Sequence, residues 1–246
     1  MLPGESLMAV AVQTLSKLPL FSRLGDDALL EIAPYIQERT FSPGQAIVLE
    51  GEPCQAVYFV AQGVVRTGRL SPEGREQVLA YLGPGEPFNL VPALDGGPTL
   101  ATVDAVTDAT LYTISCERLR EIMRDHHGVA LAVMERLGAE VRRLSDMVED
   151  LALHTVRTRL ARFLLTHASA EPSSRAQAEG LGGVVDGTQP PKRWTQEELA
   201  AQIGTVRDVV GRALRTFADD GLIRRERGRL VVVDRAGLER AAMMDG

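Results

Sequence analysis

The sequence predicts an α+β fold: a small N-terminal antiparallel β-roll, one long dimerisation helix, and a C-terminal helix pair completed by a two-stranded wing, that is, a winged helix-turn-helix. Three observations lead there. Short apolar runs over residues 38–114 alternate with Pro- and Gly-containing turns at roughly 8 to 12-residue intervals, the spacing of a β-sandwich or barrel. An unbroken apolar repeat averaging 3.5 residues follows from Ala130 to Leu151. Beyond it, a capping-box sequence, a glycine turn and a second amphipathic helix succeed one another over residues 194–218.

Taken in order, residues 5–16 and 26–35 read as short helices separated by Leu18-Pro19-Leu20-Phe21, a helix stop followed by a buried anchor. The strand runs of the roll are 46–49, 57–60, 64–70, 77–82 and 101–106, punctuated by Pro43-Gly44, Gly51, Gly63, Pro72-Glu73-Gly74, Pro84-Gly85 and Gly96-Gly97. Helix returns at 116–123, then runs at length over 127–153. In the long helix Ala130, Met134, Leu137, Val141, Leu144, Val148 and Leu151 step alternately by four and three, which is a coiled-coil seam. Met134, Leu137, Val141, Leu144, Val148 and Leu151 are therefore the expected homodimer interface. Val133 and Met147 beside the stripe point to additional packing against the chain's own roll. Residues 156–167 form another amphipathic helix, and 168–191, rich in Ser, Gly, Ala and Pro, read as a loop. The expected domains are the roll with its flanking helices over 1–125, the long helix over 126–154, and the winged helix-turn-helix over 155–246.

The chemistry concentrates at the C-terminal end. Thr195 stands at an N-cap with Glu198 three residues on, and Gly204 ends that helix. After the turn at Gly204-Thr205-Val206, apolar Val206, Val209, Val210, Ala213, Leu214 and Phe217 recur at helical spacing. In a helix-turn-helix the N-terminal residues of the second helix face base edges in the major groove; here those are Thr205, Arg207, Asp208, Gly211 and Arg212. Arginine bonds bidentately to guanine and a carboxylate accepts from cytosine N4, so Arg207 and Asp208 form a two-base reader, with Arg212 reaching a third base or a phosphate. Thr195, Gln196 and the wing arginines Arg227 and Arg229 are expected on phosphates. Between Lys192 and Leu230 nine basic residues face six acidic ones, while the whole chain carries a net charge of −6. The bland reading of this segment is an amphipathic helix pair with solvated charges. Cap, turn, reader helix and wing in their proper order argue against it.

Composition excludes much else. With 45% hydrophobic and 24% charged residues, no apolar run of about 18 residues and no basic leader, the sequence indicates neither membrane insertion nor export, and a cytoplasmic location is expected. Cys54 and Cys116 are the only cysteines, which excludes a Cys-ligated iron–sulfur cluster and leaves them as small core fillers. No metal site is expected. The four histidines make no HExxH pair, and GxSxG, P-loop and dinucleotide motifs are missing, so the sequence does not read as an enzyme.

The order of roll, long helix and winged helix-turn-helix resembles the Crp/Fnr family of bacterial transcription regulators. The likeness is carried by Leu199-Ala200, Ile203-Gly204-Thr205, Arg207-Asp208, Arg212 and Leu214, by Gly221-Leu222-Ile223 and Arg227-Gly228, and by Ser71 to Gln77 leading into Leu82-Gly83-Pro84-Gly85-Glu86. Family members commonly carry Arg-Glu where this chain has Arg207-Asp208, one methylene shorter. The resemblance implies a cyclic-nucleotide-binding-like, double-stranded β-helix sensor domain and a homodimer on a near-palindromic operator in double-stranded DNA, acting as activator or repressor with RNA polymerase as partner. Members that bind cyclic AMP hold its phosphate with a Gly-Glu pair and an Arg followed by a small residue. The matching stretch, Phe88 to Ala101, has Asn89-Leu90 and Thr99-Leu100 at those positions and no arginine. A buried phosphate without its charge-assisted donor loses roughly 1.5 to 3 kcal/mol per hydrogen bond, so cyclic AMP is not expected in the usual mode. Two other inputs stay open: haem, with His126 or His127 as axial ligand, and a different small molecule held near Tyr81, Asn89, Thr99 and Leu100. The alternative reading is a ligand-binding module, for a cyclic dinucleotide, haem or another metabolite, acting mainly through protein partners.

Overall fold

The computed structural model describes residues 12–167, 169–170, 194–226 and 229–243. Its contacts divide it into two compact units. The first runs to Arg69 and resumes over Leu79–Arg142; the second takes Leu70–Val78 and the described residues from Arg143 onward. The helix expected over 5–16 falls largely outside the described residues, which begin with α1 (Val12–Leu15).

In the first unit, α2 (Asp26–Ile32) and a 3-10 turn (Ala33–Tyr35) precede strands β1 (Gln37–Phe41), β2 (Ala46–Val48), β3 (Ala56–Gln62), β4 (Val65–Leu70), β5 (Glu76–Leu82) and β6 (Pro87–Phe88). Helix α3 (Leu90–Asp95), β7 (Thr102–Ala105), β8 (Ala109–Ser115), α4 (Cys116–Asp125) and α5 (His127–Leu153) follow, α5 belonging to the second unit from Arg143 onward and β5 up to Val78. The strands form two four-stranded sheets, ordered β1-β8-β3-β6 and β2-β7-β4-β5. Alternation along β3 explains how both of its faces are used. Tyr58 and Val60 join Val65, Leu82, Phe88, Val103 and Leu111 in an apolar cluster drawn from both sheets, the interior of the roll. Val57 and Phe59 point the other way, into a cluster with Leu15, Phe21, Leu29, Ile32, Leu119, Ile122, Val129 and Val133 from the helices. Glycine turns with positive φ, such as Gly63 (φ 87°), reverse the chain between strands.

Helix α5 has 27 residues and so spans about 40 Å. It carries two apolar stripes. Val129, Ala132 and Val133 are buried in the first unit's core, and Leu137 packs partly against it, so one member of the expected dimer seam turns toward its own chain. Met134, Val141, Leu144, Val148 and Leu151 stand exposed, Val141 and Val148 to 65% each.

The second unit contains α6 (Val156–His167), β9 (Ser169–Ala170), α7 (Gln196–Ile203), α8 (Arg207–Asp219), β10 (Ile223–Glu226), β11 (Arg229–Val232) and α9 (Arg235–Met243). Strand β9 corrects the loop expected over 168–191 at its first residues: Ser169 and Ala170 pair in parallel with Val231 and Val232. The remainder of that loop, 171–191, lies outside the described residues. Helix α9 was not expected. Asp234 caps it, accepting the Gly237 N–H at 2.9 Å, and Leu238, Ala241 and Ala242 are buried. Leu160, Leu164, Leu199, Val210, Phe217 and Leu238 are among the buried residues of this unit, with Trp194 set edge-on to Phe163 at 4.9 Å.

Candidate nucleic-acid interface

Two short helices around one left-handed residue build the site. At the start of α7 the Thr195 hydroxyl accepts the Glu198 N–H at 3.1 Å while the Glu198 carboxylate accepts the Thr195 N–H at 2.6 Å, a complete capping box. Gly204 closes the helix at φ 67°, ψ 52°, a conformation that disfavours any residue with a Cβ. Thr205 then donates its N–H to Ala200 O at 3.0 Å, which fixes the turn before α8 starts at Arg207.

The inner face of α8, with Val210, Leu214 and Phe217, is buried. Gly211 is buried as well, because a Cβ there would meet the Gln196 amide at 3.3 Å; its lack of a side chain lets α8 lie close to the head of α7. On the outer face, a cleft of about 520 Å³ is lined by Gln196, Asp208, Gly211, Arg212 and Arg215. Of the residues named from sequence, the structure thus gathers Gln196, Asp208 and Arg212 around one opening. Arg207 and Thr195 are exposed beside them, and Thr205 is half-buried in the turn. Arg207 holds Glu197 at 3.1 Å in an ion pair open to solvent on both sides. Arg215 belongs to the cleft as well, and its spacing of four from Gly211 and seven from Asp208 is the sequence signal that puts it on the same helix face.

The wing is a regular hairpin with Ile223 opposite Val232 and Glu226 opposite Arg229. Arg229 is exposed and Arg224 pairs with Glu226 at 2.6 Å. Arg227 lies outside the described residues.

In the first unit, Asn89 heads α3 with φ 66°, the one positive φ of a non-glycine among the described residues. Its amide donates to Ala56 O at 3.0 Å and to Cys54 Sγ at 3.4 Å, so the side chain ties the loop before β3 to α3. Thr99 is buried and its backbone exchanges bonds with Gly51 and Glu52; Leu100 is exposed, and Tyr81 sits on β5, half-buried. A separate polar cleft of about 360 Å³, lined by Tyr35, Gln37, Arg39, Tyr58 and Thr113 among others, opens at one end of the roll and contains none of those four. There, burial raises the Tyr58 hydroxyl above its ordinary pKa, so it stays a donor. His126 is the half-buried link between α4 and α5 and His127 the exposed first residue of α5. Among the described residues no cluster of three His, Cys, Asp or Glu is placed to hold a metal ion.

The sequence profile of the cyclic nucleotide-binding domain matches residues 38–126, and that of the Crp-like helix-turn-helix domain matches 158–241. The cyclic AMP receptor protein of Thermus thermophilus is 32% identical over 224 residues, 91% of this chain and 96% of that protein. The chain belongs to the Crp/Fnr family. A Crp-like cAMP-activated global transcriptional regulator of Mycobacterium tuberculosis is 28% identical over 94% of this chain and 99% of that one. A putative Crp/Fnr-family regulator from Eubacterium rectale, known by crystal structure, superposes with a TM-score of 0.72 at 25% identity, covering 93% of this chain and 100% of that one. This Crp/Fnr protein is accordingly a DNA-binding transcription regulator with a cyclic-nucleotide-binding-type sensor domain. Its relatives are transcriptional regulators, and no helix among its described residues is long and apolar enough to cross a membrane.

Within this family member the sensor sequence has a local peculiarity. From Glu76 to Glu117 there is no lysine or arginine, while Glu86, Asp95, Asp104 and Asp108 are all present. The segment that includes α3 offers an anion backbone N–H groups and hydroxyls, but no cation of its own.

Proposed function

We propose that the chain acts in the cytoplasm as a homodimer that reads a near-palindromic operator with α8, under control of a roll whose effector is not cyclic AMP held through an arginine. The observation that carries the reading is the first turn and a half of α8: Arg207, Asp208 and Arg212 stand exposed on a helix whose other face is fully packed. Arg207 would exchange Glu197 for guanine O6 and N7, which gives up only a surface ion pair worth roughly 0.2 to 1 kcal/mol. Asp208 would accept from cytosine. Arg212 and Arg215 extend the same face toward a further base or the phosphates. The Thr195 hydroxyl accepts from Glu198 and keeps its own hydrogen for a phosphate oxygen. Gln196, Thr205 and the wing's Arg227 and Arg229 complete the backbone contacts. RNA polymerase is the protein partner the family implies.

The exposed stripe of Met134, Val141, Leu144, Val148 and Leu151 supports the dimer, since a second copy of α5 would bury it. Two reader helices would then enter successive major grooves about 34 to 36 Å apart. Selection of bound sequences from random duplexes should return an inverted repeat with half-site centres about 10 to 10.5 base pairs apart. Binding indifferent to sequence would reject the base-reading roles of α8, and no DNA binding at low salt would favour a module that acts through protein partners.

Relatives at 28% and 32% identity carry cyclic AMP in their names, which makes cyclic AMP the second reading of the sensor. Titration calorimetry with cyclic AMP decides between them. Saturable heat of binding at one site per chain would support the second reading, and no heat supports the first.

A further inference from the structure

Cys54 and Cys116, 62 residues apart in sequence, have their sulfur atoms 2.8 Å apart. The β3–β8 ladder brings them together: Ala56 stands opposite Ser115, and the Cys116 N–H donates to Gln55 O at 3.1 Å, so the two cysteines lie side by side just beyond the last pair of that ladder. Cys116 opens α4 and is buried in the helix-side core, while Cys54 packs against the same core and remains partly open to solvent. A disulfide requires about 2.05 Å between its sulfurs, so the gap to close is only about 0.8 Å. The neighbourhood is tied to α3 from both sides. Asn89 reaches Cys54 as described, and Arg120 of α4 donates to Ala93 O at 2.8 Å.

We propose that Cys54 and Cys116 form an oxidative modification site, closing to an intramolecular disulfide when a peroxide-class, two-electron oxidant reaches Cys54. The Cys54 thiolate attacks a peroxide oxygen; the O–O bond breaks, hydroxide leaves and is protonated to water, and Cys54 becomes a sulfenic acid. The Cys116 sulfur then attacks the Cys54 sulfur, the S–O bond breaks, and a second water departs with the Cys116 proton. Two thiols and one peroxide thus give one disulfide and two waters. Cys54 is the entry point because Cys116 is buried. Burial and the neighbouring Cys116 push the Cys54 thiol up to about 12, so thiolate is scarce at neutral pH and the reaction quickens as pH rises. Once formed, the sulfenic acid has its resolving partner in contact, which protects it from further oxidation. The disulfide would staple the loop before β3 to the head of α4, beside Asn89, and close a loop that contains α3.

The test uses the full chain treated with hydrogen peroxide at pH 7 and pH 9, free thiols then blocked with iodoacetamide and the protein cleaved with trypsin. The expected product joins the peptide 40–66 to the peptide 76–118, two hydrogens lighter than the separate thiols, forms faster at pH 9, and disappears with reductant. Oxidised protein should melt several degrees higher than reduced protein, because the cross-link restrains the unfolded chain. Cys54→Ser and Cys116→Ser should each abolish both the cross-linked peptide and the shift. Cys54 oxidised to sulfinate with Cys116 still free, a disulfide between two chains, or two unreacted thiols under conditions that oxidise the urea-unfolded chain would each overturn the proposal.

Discussion

Thr195→Ala isolates the contribution of the capping box to the second unit. In the native chain the Thr195 hydroxyl satisfies the Glu198 N–H at 3.1 Å, one of the first-turn donors that the helix itself leaves without a partner. Alanine removes that acceptor and leaves Glu198 with half of a reciprocal pair. Loss of a threonine N-cap costs about 1 kcal/mol, within a range of roughly 0.5 to 2, because the orphaned N–H at this exposed helix end still finds water. For a domain of about 100 residues, 1 kcal/mol lowers the thermal midpoint by about 4 to 8 °C. Differential scanning calorimetry on the full chain reads this directly, with Thr195→Ser as the control that keeps the hydroxyl and should restore the midpoint. Glu198→Ala removes the other bond, and the double variant should lose less than the sum of the two single losses, since the bonds support one another. A Thr195→Ala midpoint within about 1 °C of the parent would refute the claim that this cap holds α7 beneath the reader helix.

Arg207→Ala should weaken binding to a selected operator by about 5- to 150-fold, equivalent to about 1 to 3 kcal/mol, and relax preference at one base pair. It should barely move the thermal midpoint, because its Glu197 partner is a surface ion pair; equal loss on random DNA in a fluorescence-anisotropy titration would instead make Arg207 a phosphate contact. Val148→Glu, on the exposed stripe of α5, should convert a dimer to monomers in sedimentation velocity and lower operator affinity with it, and an unchanged dimer would remove Val148 from the interface. His167 lies against Phe163 at 4.3 Å between centroids and edge-on to Trp194, and this desolvation holds its pKa below the ordinary value near 6.5. The unfolded chain then binds the proton first, so stability falls as pH drops from about 6.5 through the folded pKa and gains nothing from this residue above that window. His167→Phe keeps the stack without the titration, and its midpoint should fall less between about pH 7.5 and 5.5; an equal fall would assign the acid sensitivity elsewhere.

Elements set by near neighbours were legible before any coordinates. The capping box at Thr195 and Glu198, the glycine stop at Gly204 and the bounds of α5 at His127–Leu153 depend on bonds and contacts within a few residues, and all three appear where the residues put them. Strands β1 and β9 carry no apolar run of their own and take their form from partners far away in sequence. Charged Gln37–Phe41 becomes β1 only because β8 lies beside it, with Gln37 opposite Thr113. Ser169–Ala170 becomes β9 because the wing offers an edge at Val231 and Val232. Helix α9 lacked a long apolar repeat, although Asp234 at its cap was a signal that could have been used.

The candidate site divides along the same line. Sequence alone determined that a second amphipathic helix follows a capped helix and a glycine turn, since hydrogen bonds between residues three and four apart encode that order. Tertiary structure decided that Arg215 shares the cleft with Gln196 and Asp208, that Leu137 also packs partly against its own core, and that Asn89 is held by Ala56 O. It also turned two cysteines that looked unrelated into neighbours 2.8 Å apart. Closing a 62-residue separation is the work of the β3–β8 ladder, and no spacing within either local segment contains that information.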